Sequence, residues 1–248
     1  MGEANRPMAT VERAVAVLRV LADAPRDLGS NEIARSVGTN PSTVSRLLAT
    51  LAQDELVRRV PDSGRFRLGP GLVELGNAAL ARVDLRQLAR PHLELLTAST
   101  GETSTLSVPG EHSAITVDFV QSPSTVRSVA VVGRRSVAHA TAVGKVLLAH
   151  SGELPTGPLA AYTRRTITDP QQLATEVART AQRGWGQALG EREDDLNAVA
   201  APVLDASATL VALLGLQGPA ARFGPRAMRA AAEELVAHAA QLAAAVGR

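Results

Sequence analysis

The sequence predicts an α+β chain in two parts: a small unit of three helices closed by a hairpin, and a larger unit mixing strands with helices, the two joined by a helix. Three observations predict it. Apolar residues recur at helical spacing in three short stretches between residues 11 and 51, each with its own start and stop signals. Two short runs then flank the turn Pro61-Asp62-Ser63-Gly64, which reads as a hairpin. Beyond residue 101, runs rich in Val, Ile and Thr alternate with helical patterns, the order expected of an α+β sheet domain. These textures divide the chain into residues 1–69, a connecting helix at 70–83, and residues 84–248.

In the first helix Val11, Ala14, Val15, Leu18 and Leu21 form one apolar stripe, with Thr10 as the expected N-cap and Pro25 helping to end it. Ser30 is expected to cap a second helix in which Ile33, Ala34 and Val37 face inward, and Gly38 supplies the left-handed residue that stops it. A third helix starts with Asn40 as cap and Pro41 at its first position, where a missing N–H costs nothing. Val44, Leu47, Leu48 and Leu51 make its buried face.

That burial turns Ser42, Thr43, Ser45, Arg46 and Thr50 outward. Short polar side chains let a helix approach base edges and phosphates closely, and an arginine among them can pair bidentately with guanine, so the third helix suits the major groove of duplex DNA. In the hairpin, Leu56-Val57-Arg58-Arg59-Val60 is followed by Arg65-Phe66-Arg67-Leu68. Alternation puts Phe66 and Leu68 on one face and Arg65 and Arg67 on the other, so the cations can meet phosphates while the apolar pair packs on the helices. Three helices and such a wing read as a winged helix-turn-helix; a module that binds only protein is the alternative.

Composition narrows the function classes. At 248 residues with 45% hydrophobic content, the chain can fill two modest cores, which excludes whole-chain disorder. Cysteine is absent, so there is no disulfide framework and no thiolate ligand or nucleophile; the cytoplasm is the expected compartment. Met1 to Thr10 is polar and carries Glu3 and Arg6, unlike a signal peptide, and no apolar run approaches the ~20 residues that span a bilayer. The net charge is only +2. The pI is nevertheless about 9.8, because every cation but Lys145 is an arginine, so the placement of the arginines says more than their number.

No catalytic equipment is visible. Val143-Gly144-Lys145 looks like the end of a phosphate loop, but His139 stands where that loop's first glycine belongs and Val146 where its Ser or Thr belongs. Glu191, Glu193, Asp194 and Asp195 surround Arg192 with no histidine close in sequence, so they read as a solvated acidic turn and no metal or cofactor is expected. His92, His112, His139, His150 and His238 lack ligand spacing, and no serine-hydrolase elbow occurs. His139 is expected to bond the backbone, with contact to an effector as the alternative, and Lys145 a surface carboxylate. An enzyme that borrowed a DNA-binding fold stays open as a rival, to be supported by paired acid and base groups.

At this level the sequence resembles the IclR family of bacterial regulators over almost its whole length, from about Val11 to Val246. The stretches that carry the likeness are NEIARSVGTNPSTVSRLLATL and GRFRLGPGLVELG in the first part. In the second they are RPHLELLTASTGET, VVGRRSVAHATAVGKVLLA, GWGQALGEREDDLNAVAAPVLD and LVALLGLQGP. The resemblance implies a GAF-like antiparallel sheet flanked by helices, holding a small effector. It implies effector contacts at Ala142, Val143, Leu196, Ala198, Gly215 and Gln217, with Thr125, Arg127, Ser128 and Ser136 as further lining.

The residues themselves add detail. Leu72, Leu75, Ala79, Leu80 and Val83 suit a linker helix whose apolar face meets another subunit. A helix over 84–100 contains Pro91, an expected kink or restart. Strands are expected at 105–108, 114–120, 125–132, 199–204 and 209–217, and helices at 141–150 and 170–183. A last helix starts at Pro225 and buries Met228, Ala231, Ala232, Leu235, Ala239, Leu242 and Val246. Free N–H groups at the start of the helix at Thr141, with small Ala140, Ala142 and Gly144 around them, would receive a carboxylate. The expected molecule is a homodimer or dimer of dimers on a pseudo-palindromic, double-stranded operator, a repressor switched by an organic acid.

Overall fold

The computed structural model describes residues 8–80 and 85–246, which fall into two compact units, Met1–Arg82 and Val83–Arg248. No helix among the described residues is long and apolar enough to cross a membrane.

The first unit contains α1 (Ala9–Asp23), α2 (Ser30–Val37), α3 (Pro41–Gln53), a hairpin of β1 (Val57–Arg59) and β2 (Phe66–Leu68), and α4 (Gly71–Leu80). Val17, Leu21, Ile33, Ala34, Val44, Leu47, Leu48, Leu51 and Val57 form its core, with Leu28, Phe66 and Leu68 packed against them. The α1 stripe is rotated from the expected one: Val17 is buried, whereas Val11 and Val15 are exposed. The helix starts two residues earlier than a Thr10 cap would allow, with Met8 at the cap. Likewise Ser30 is the first residue of α2 rather than its cap. The Glu32 carboxylate reaches back to the Gly29 N–H at 2.9 Å, which makes Gly29 the cap. Asn40 and Pro41 start α3 as read from the sequence, the Asn40 side chain accepting the Thr43 N–H at 2.8 Å. Leu28 bridges Phe66 through two backbone hydrogen bonds, so the wing is fastened to the loop before α2.

The linker expectation falls partly outside the described residues: α4 ends at Leu80, and Val83 and Asp84 are not described. Within α4, Val73 and Leu75 are exposed.

In the second unit α5 (Leu85–Thr100) precedes β3 (Thr103–Pro109) and β4 (Ala114–Val120); α6 (Ala142–Ser151), α7 (Pro170–Arg183), β5 (Gly186–Leu189), β6 (Leu196–Leu204), β7 (Leu210–Pro219) and α8 (Pro225–Val246) follow. The sheet is antiparallel in the order β4-β3-β7-β6-β5. Helices α5 and α8 cover one face, where Leu93, Leu96, Met228 and Leu235 are fully buried. Helix α6 covers the other, its Ala142, Val146 and Leu147 packing on Ala114, Ala188, Ala200 and Leu213.

Two expectations, the strand at 125–132 and a restart at Pro91, are corrected here, and one strand is added. Residues 125–132 form no strand. Val126, Val129, Val131 and Val132 are exposed, and the segment is held by side chains rather than by a ladder: Thr103 Oγ1 donates to the Ser128 carbonyl and Arg222 Nη1 to that of Val126. Strand β5, with the weak strand formers Gly186, Gln187 and Ala188, had no strand signal. Pro91 neither restarts nor ends α5; the hydrogen bond it removes belongs to the carbonyl of exposed Gln87, where water can replace it.

Helix α6 approaches the sheet closely because glycine stands where any side chain would collide. A Cβ on Gly186 would lie 2.6 Å from the Ala142 carbonyl oxygen and 2.8 Å from Val146 Cγ2. Gly186→Ala is therefore expected to lower stability by ~2 kcal/mol, read from the denaturant midpoint at an unchanged m-value.

Candidate nucleic-acid interface and ligand cavity

On α3, Ser42, Ser45, Arg46 and Thr50 are exposed and Thr43 half-buried, all on the side away from the core. Two of the hydroxyls are engaged locally. Ser42 donates to Asn40 Oδ1 at 2.8 Å, and Thr50 to the Arg46 carbonyl at 3.1 Å. Thr43, Ser45 and Arg46 have no side-chain hydrogen bond among the described residues, so this face offers two hydroxyls and a guanidinium to a partner.

The wing arginines do not form one set. Arg58 and Arg59 are exposed and have no ion pair among the described residues. Arg65 Nη1 instead meets Glu32 Oε2 at 2.8 Å and the Asp27 carbonyl at 3.0 Å, while Arg67 Nη2 meets Asp27 Oδ2 at 2.8 Å. Arg26 Nη2 closes the cluster on Glu32 Oε1 at 2.7 Å. Strand alternation places the arginines, but their partners come from the loop before α2 and from α2 itself, about forty residues earlier, which no local pattern shows.

Hydrogen bonds from Arg26 and from the Gly29 amide hold the Glu32 carboxyl down at about 2. A carboxyl with a depressed pKa contributes stability that is complete above its unfolded value and is lost as pH falls through its folded one. The thermal midpoint of the first unit should therefore fall between pH 4.5 and about 2 in the parent protein, and Glu32→Gln should flatten that fall. An unchanged slope in the variant would refute the assignment.

The second unit holds a cavity of about 380 Å³ between the sheet, the start of α6, the segment 126–137 and the turn before β6. Of the positions the resemblance implied, Ala142, Val143, Leu196, Ala198, Gly215, Gln217, Arg127, Ser128 and Ser136 line it, and Thr125 does not. The exposed Thr125 lies in the turn before the lining segment begins at Val126.

Helix α6 begins at the cavity. Thr141 caps it by accepting the Gly144 N–H at 3.1 Å, which leaves the amides of Ala142 and Val143 without an intrahelical acceptor and the positive end of the helix dipole facing the space. Arg127, Arg134, Arg135 and Arg192 stand in the lining with Glu193 and Asp195. Arg134 pairs with Glu193 at 3.4 Å, and Arg192 lies over the Tyr162 ring at 4.1 Å from its centroid. The charge balance favours an anion.

Two family models match: the IclR helix-turn-helix domain over residues 10–61, and the bacterial transcriptional regulator IclR C-terminal domain over 77–244. The chain belongs to the IclR family of bacterial transcriptional regulators. It is 36% identical to the glycerol operon regulatory protein of Streptomyces griseus, the match covering 98% of this chain and 96% of that one. With the transcriptional repressor IclR of Escherichia coli K12 it shares 29% identity over 92% and 89% of the two chains. Among solved structures, an IclR transcriptional regulator from Alicyclobacillus acidocaldarius superposes with a TM-score of 0.83 at 26% identity, covering 97% of this chain and 100% of that one. An IclR homologue from Microbacterium hydrocarbonoxydans in complex with 4-hydroxybenzoate gives 0.79 at 26% identity, covering 96% and 100%. As an IclR-family member, the chain is a DNA-binding transcriptional regulator with an effector-binding C-terminal domain, and the relatives it matches are regulators rather than enzymes.

Several residues of the second unit were not identified from the sequence, or were misassigned. Lys145 does not pair with a surface carboxylate. Its Nζ, 1% exposed, sits 2.6 Å from Glu191 Oε1 and donates to the Gln187 carbonyl at 3.0 Å. Glu191, read as part of a solvated acidic turn, is buried, whereas Glu193, Asp194 and Asp195 are exposed. His139 bonds the backbone as expected, through the Ala160 carbonyl at 2.9 Å. His92 and His238, 146 residues apart, bring their Nδ1 atoms to 2.9 Å between α5 and α8, and burial beside its partner pushes His92 down from 6.5. Thr105, Ser107 and Thr116 also line the cavity; two of them stand at alternate positions of β3, and that alternation was the available signal.

Lys145→Met is expected to cost about 3–5 kcal/mol, because it leaves the Glu191 carboxylate buried and unpaired. Adding Glu191→Leu should restore most of the loss, and a double variant no more stable than the single one would contradict the pair's role. Urea unfolding of all three proteins decides it.

Proposed function

We propose that this regulator binds a pseudo-palindromic operator as a homodimer or dimer of dimers in the cytoplasm, represses transcription, and changes its grip when an organic acid enters the C-terminal cavity. The outward face of α3, with Thr43, Ser45 and Arg46 free of internal partners, is the observation that carries the reading. In this proposal α3 enters the major groove with Ser42, Thr43, Ser45, Arg46 and Thr50 foremost, and Arg58, Arg59, Arg65 and Arg67 follow the flanking phosphates. Exposed Val73 and Leu75 on α4 support a second subunit at the linker. Two-fold symmetry then sets half-sites one or more turns apart, ~34 Å each. A coupling of about 1–3 kcal/mol between cavity and operator is enough for a useful switch.

Selection of bound duplexes from a random pool by the purified protein tests the reading; a two-fold related pair of half-sites is expected, and no enrichment at low salt would overturn it. On the selected site, Arg46→Ala should lower specific binding by about 1–3 kcal/mol and leave nonspecific binding nearly unchanged. Arg58→Ala and Arg59→Ala should each weaken binding to all sequences and reduce the salt slope by about 1. Arg65→Ala and Arg67→Ala should change the slope less and lower the stability of the first unit instead, since their charges are already paired with Glu32 and Asp27.

A further inference from the structure

The hydroxyls of β3 fall into two groups: Thr103, at the start of the strand, donates to the Ser128 carbonyl at 3.0 Å, and Ser104 is likewise engaged, whereas Thr105 and Ser107 are not. On the helix-covered face, Ser104 donates to the Leu93 carbonyl at 2.8 Å and accepts from Thr97 at 2.9 Å. On the cavity face, Thr105 is 8% exposed and Ser107 2% exposed, and neither hydroxyl has a hydrogen-bond partner among the described residues. Thr116, the cross-strand partner of Ser107, also lines the cavity with its hydroxyl unengaged. So does Gln217, whose carboxamide bonds to none of the described residues. These polar atoms open onto the cavity rather than being sealed in the core, and the fold itself gives them no partner among the described residues. They are donors and acceptors held for something that enters.

Sheet register fixes where that something sits. Thr105 is paired laterally with Gly215, and a Cβ on Gly215 would lie 2.6 Å from Thr105 Oγ1 and 3.4 Å from Val143 Cγ1. The glycine thus leaves open the space that joins the β3 hydroxyls to the first turn of α6, where the unmatched amides and the arginines are. None of the aromatic residues Phe66, Phe119, Tyr162, Trp185 and Phe223 lines the cavity, so a flat aromatic ligand finds no ring to stack on.

We propose that the effector is a small hydroxylated aliphatic anion, a hydroxy acid or a polyol phosphate, with its charge at the start of α6 and its hydroxyls on Thr105, Ser107, Thr116 and Gln217. This rests on the reading of the cavity as the effector site. A site that hydrogen-bonds a ligand's hydroxyls rejects the analogue that lacks them, because its own polar groups are then left unmatched.

The test is calorimetric titration and thermal shift of the full-length protein with glycerol 3-phosphate, glycerate and gluconate, against propionate, hexanoate and 4-hydroxybenzoate. At least one hydroxylated anion should bind about tenfold or more tightly than its deoxygenated counterpart. The phosphate and carboxylate arms show which anionic group the α6 terminus takes. Thr105→Val with Ser107→Ala should erase that preference while the thermal midpoint of the unliganded protein stays level or rises, since the fold does not use these hydroxyls. Tighter binding of hexanoate or 4-hydroxybenzoate, with release of operator DNA, would overturn the ligand class and leave the effector site standing. Binding of no anion at all would overturn both, and a preference that survives in the double variant would overturn the assignment to β3.

Discussion

The seating of α6 on the sheet is the constraint from which the rest of the ligand-binding half follows. Gly186 admits the helix, and Gly144 admits the chain that leads into it: a Cβ there would lie 2.5 Å from the Ala138 carbonyl oxygen. With the helix this close, Ala142, Val146 and Leu147 can pack on Ala188, Ala200 and Leu213, and only small side chains fit between. One long side chain on this helix is also buried, and it is the lysine. Lys145 finds Glu191 beyond the edge of β5, in the turn leading to β6, so a charge pair fixes the helix to the turn that supplies Arg192, Glu193 and Asp195 to the cavity. A buried pair of this kind contributes little net stability compared with apolar residues, but separating its members is costly, so it specifies one position for helix and turn together.

In the DNA-binding half the equivalent organising group is a carboxylate. Glu32 receives Arg26, Arg65 and the Gly29 amide, so one residue caps α2 and fastens the wing. The consequence is a division among the basic residues. Arg65 and Arg67 are held by acids on the scaffold and set the wing's position, while Arg46, Arg58 and Arg59 have no ion pair among the described residues. A net charge of only +2 for the whole chain does not oppose DNA binding, because the local placement of cations rather than their total sets the field a partner meets.

How much of this could be read from the sequence depended on distance along the chain. Helix α3 was legible almost residue by residue, because its cap, its first-turn proline and its buried stripe all lie within about a dozen positions and agree with one another. The hairpin was legible for the same reason. Helix α1 was displaced, since its alanines and valines are apolar on several sides and only contact with α2 and α3 selects Val17 over Val11 and Val15. The valine-rich run 125–132 reads locally as a strand, yet the sheet is already complete without it. The Ser128 and Val126 carbonyls are taken by Thr103, Gln121 and Arg222 from other elements, so tertiary contacts override the local preference. Resemblance located most of the cavity, but the β3 hydroxyls, the Lys145–Glu191 pair and the His92–His238 contact each join segments separated by dozens of residues, and no spacing rule connects them.

The charged contacts around the cavity differ in strength. Arg222 binds Glu102 through two nitrogens at 2.6 and 2.8 Å, with the carboxylate 4% exposed, and its third nitrogen holds the Val126 carbonyl at 2.7 Å. Of that arrangement and the Lys145–Glu191 pair, the latter has both side chains buried and costs several kcal/mol to break, while the Arg222 side chain, 37% exposed, is partly screened by solvent. Arg134 and Glu193 meet at 3.4 Å with both side chains about half exposed, a contact of the sort that contributes ~0–1 kcal/mol. An anion entering at the α6 terminus would compete with Glu193 for Arg134 at small cost, whereas displacing the buried Lys145–Glu191 pair would cost more. Of the charged contacts around the cavity, Arg134–Glu193 is thus the weakest and the Lys145–Glu191 pair on α6 the strongest.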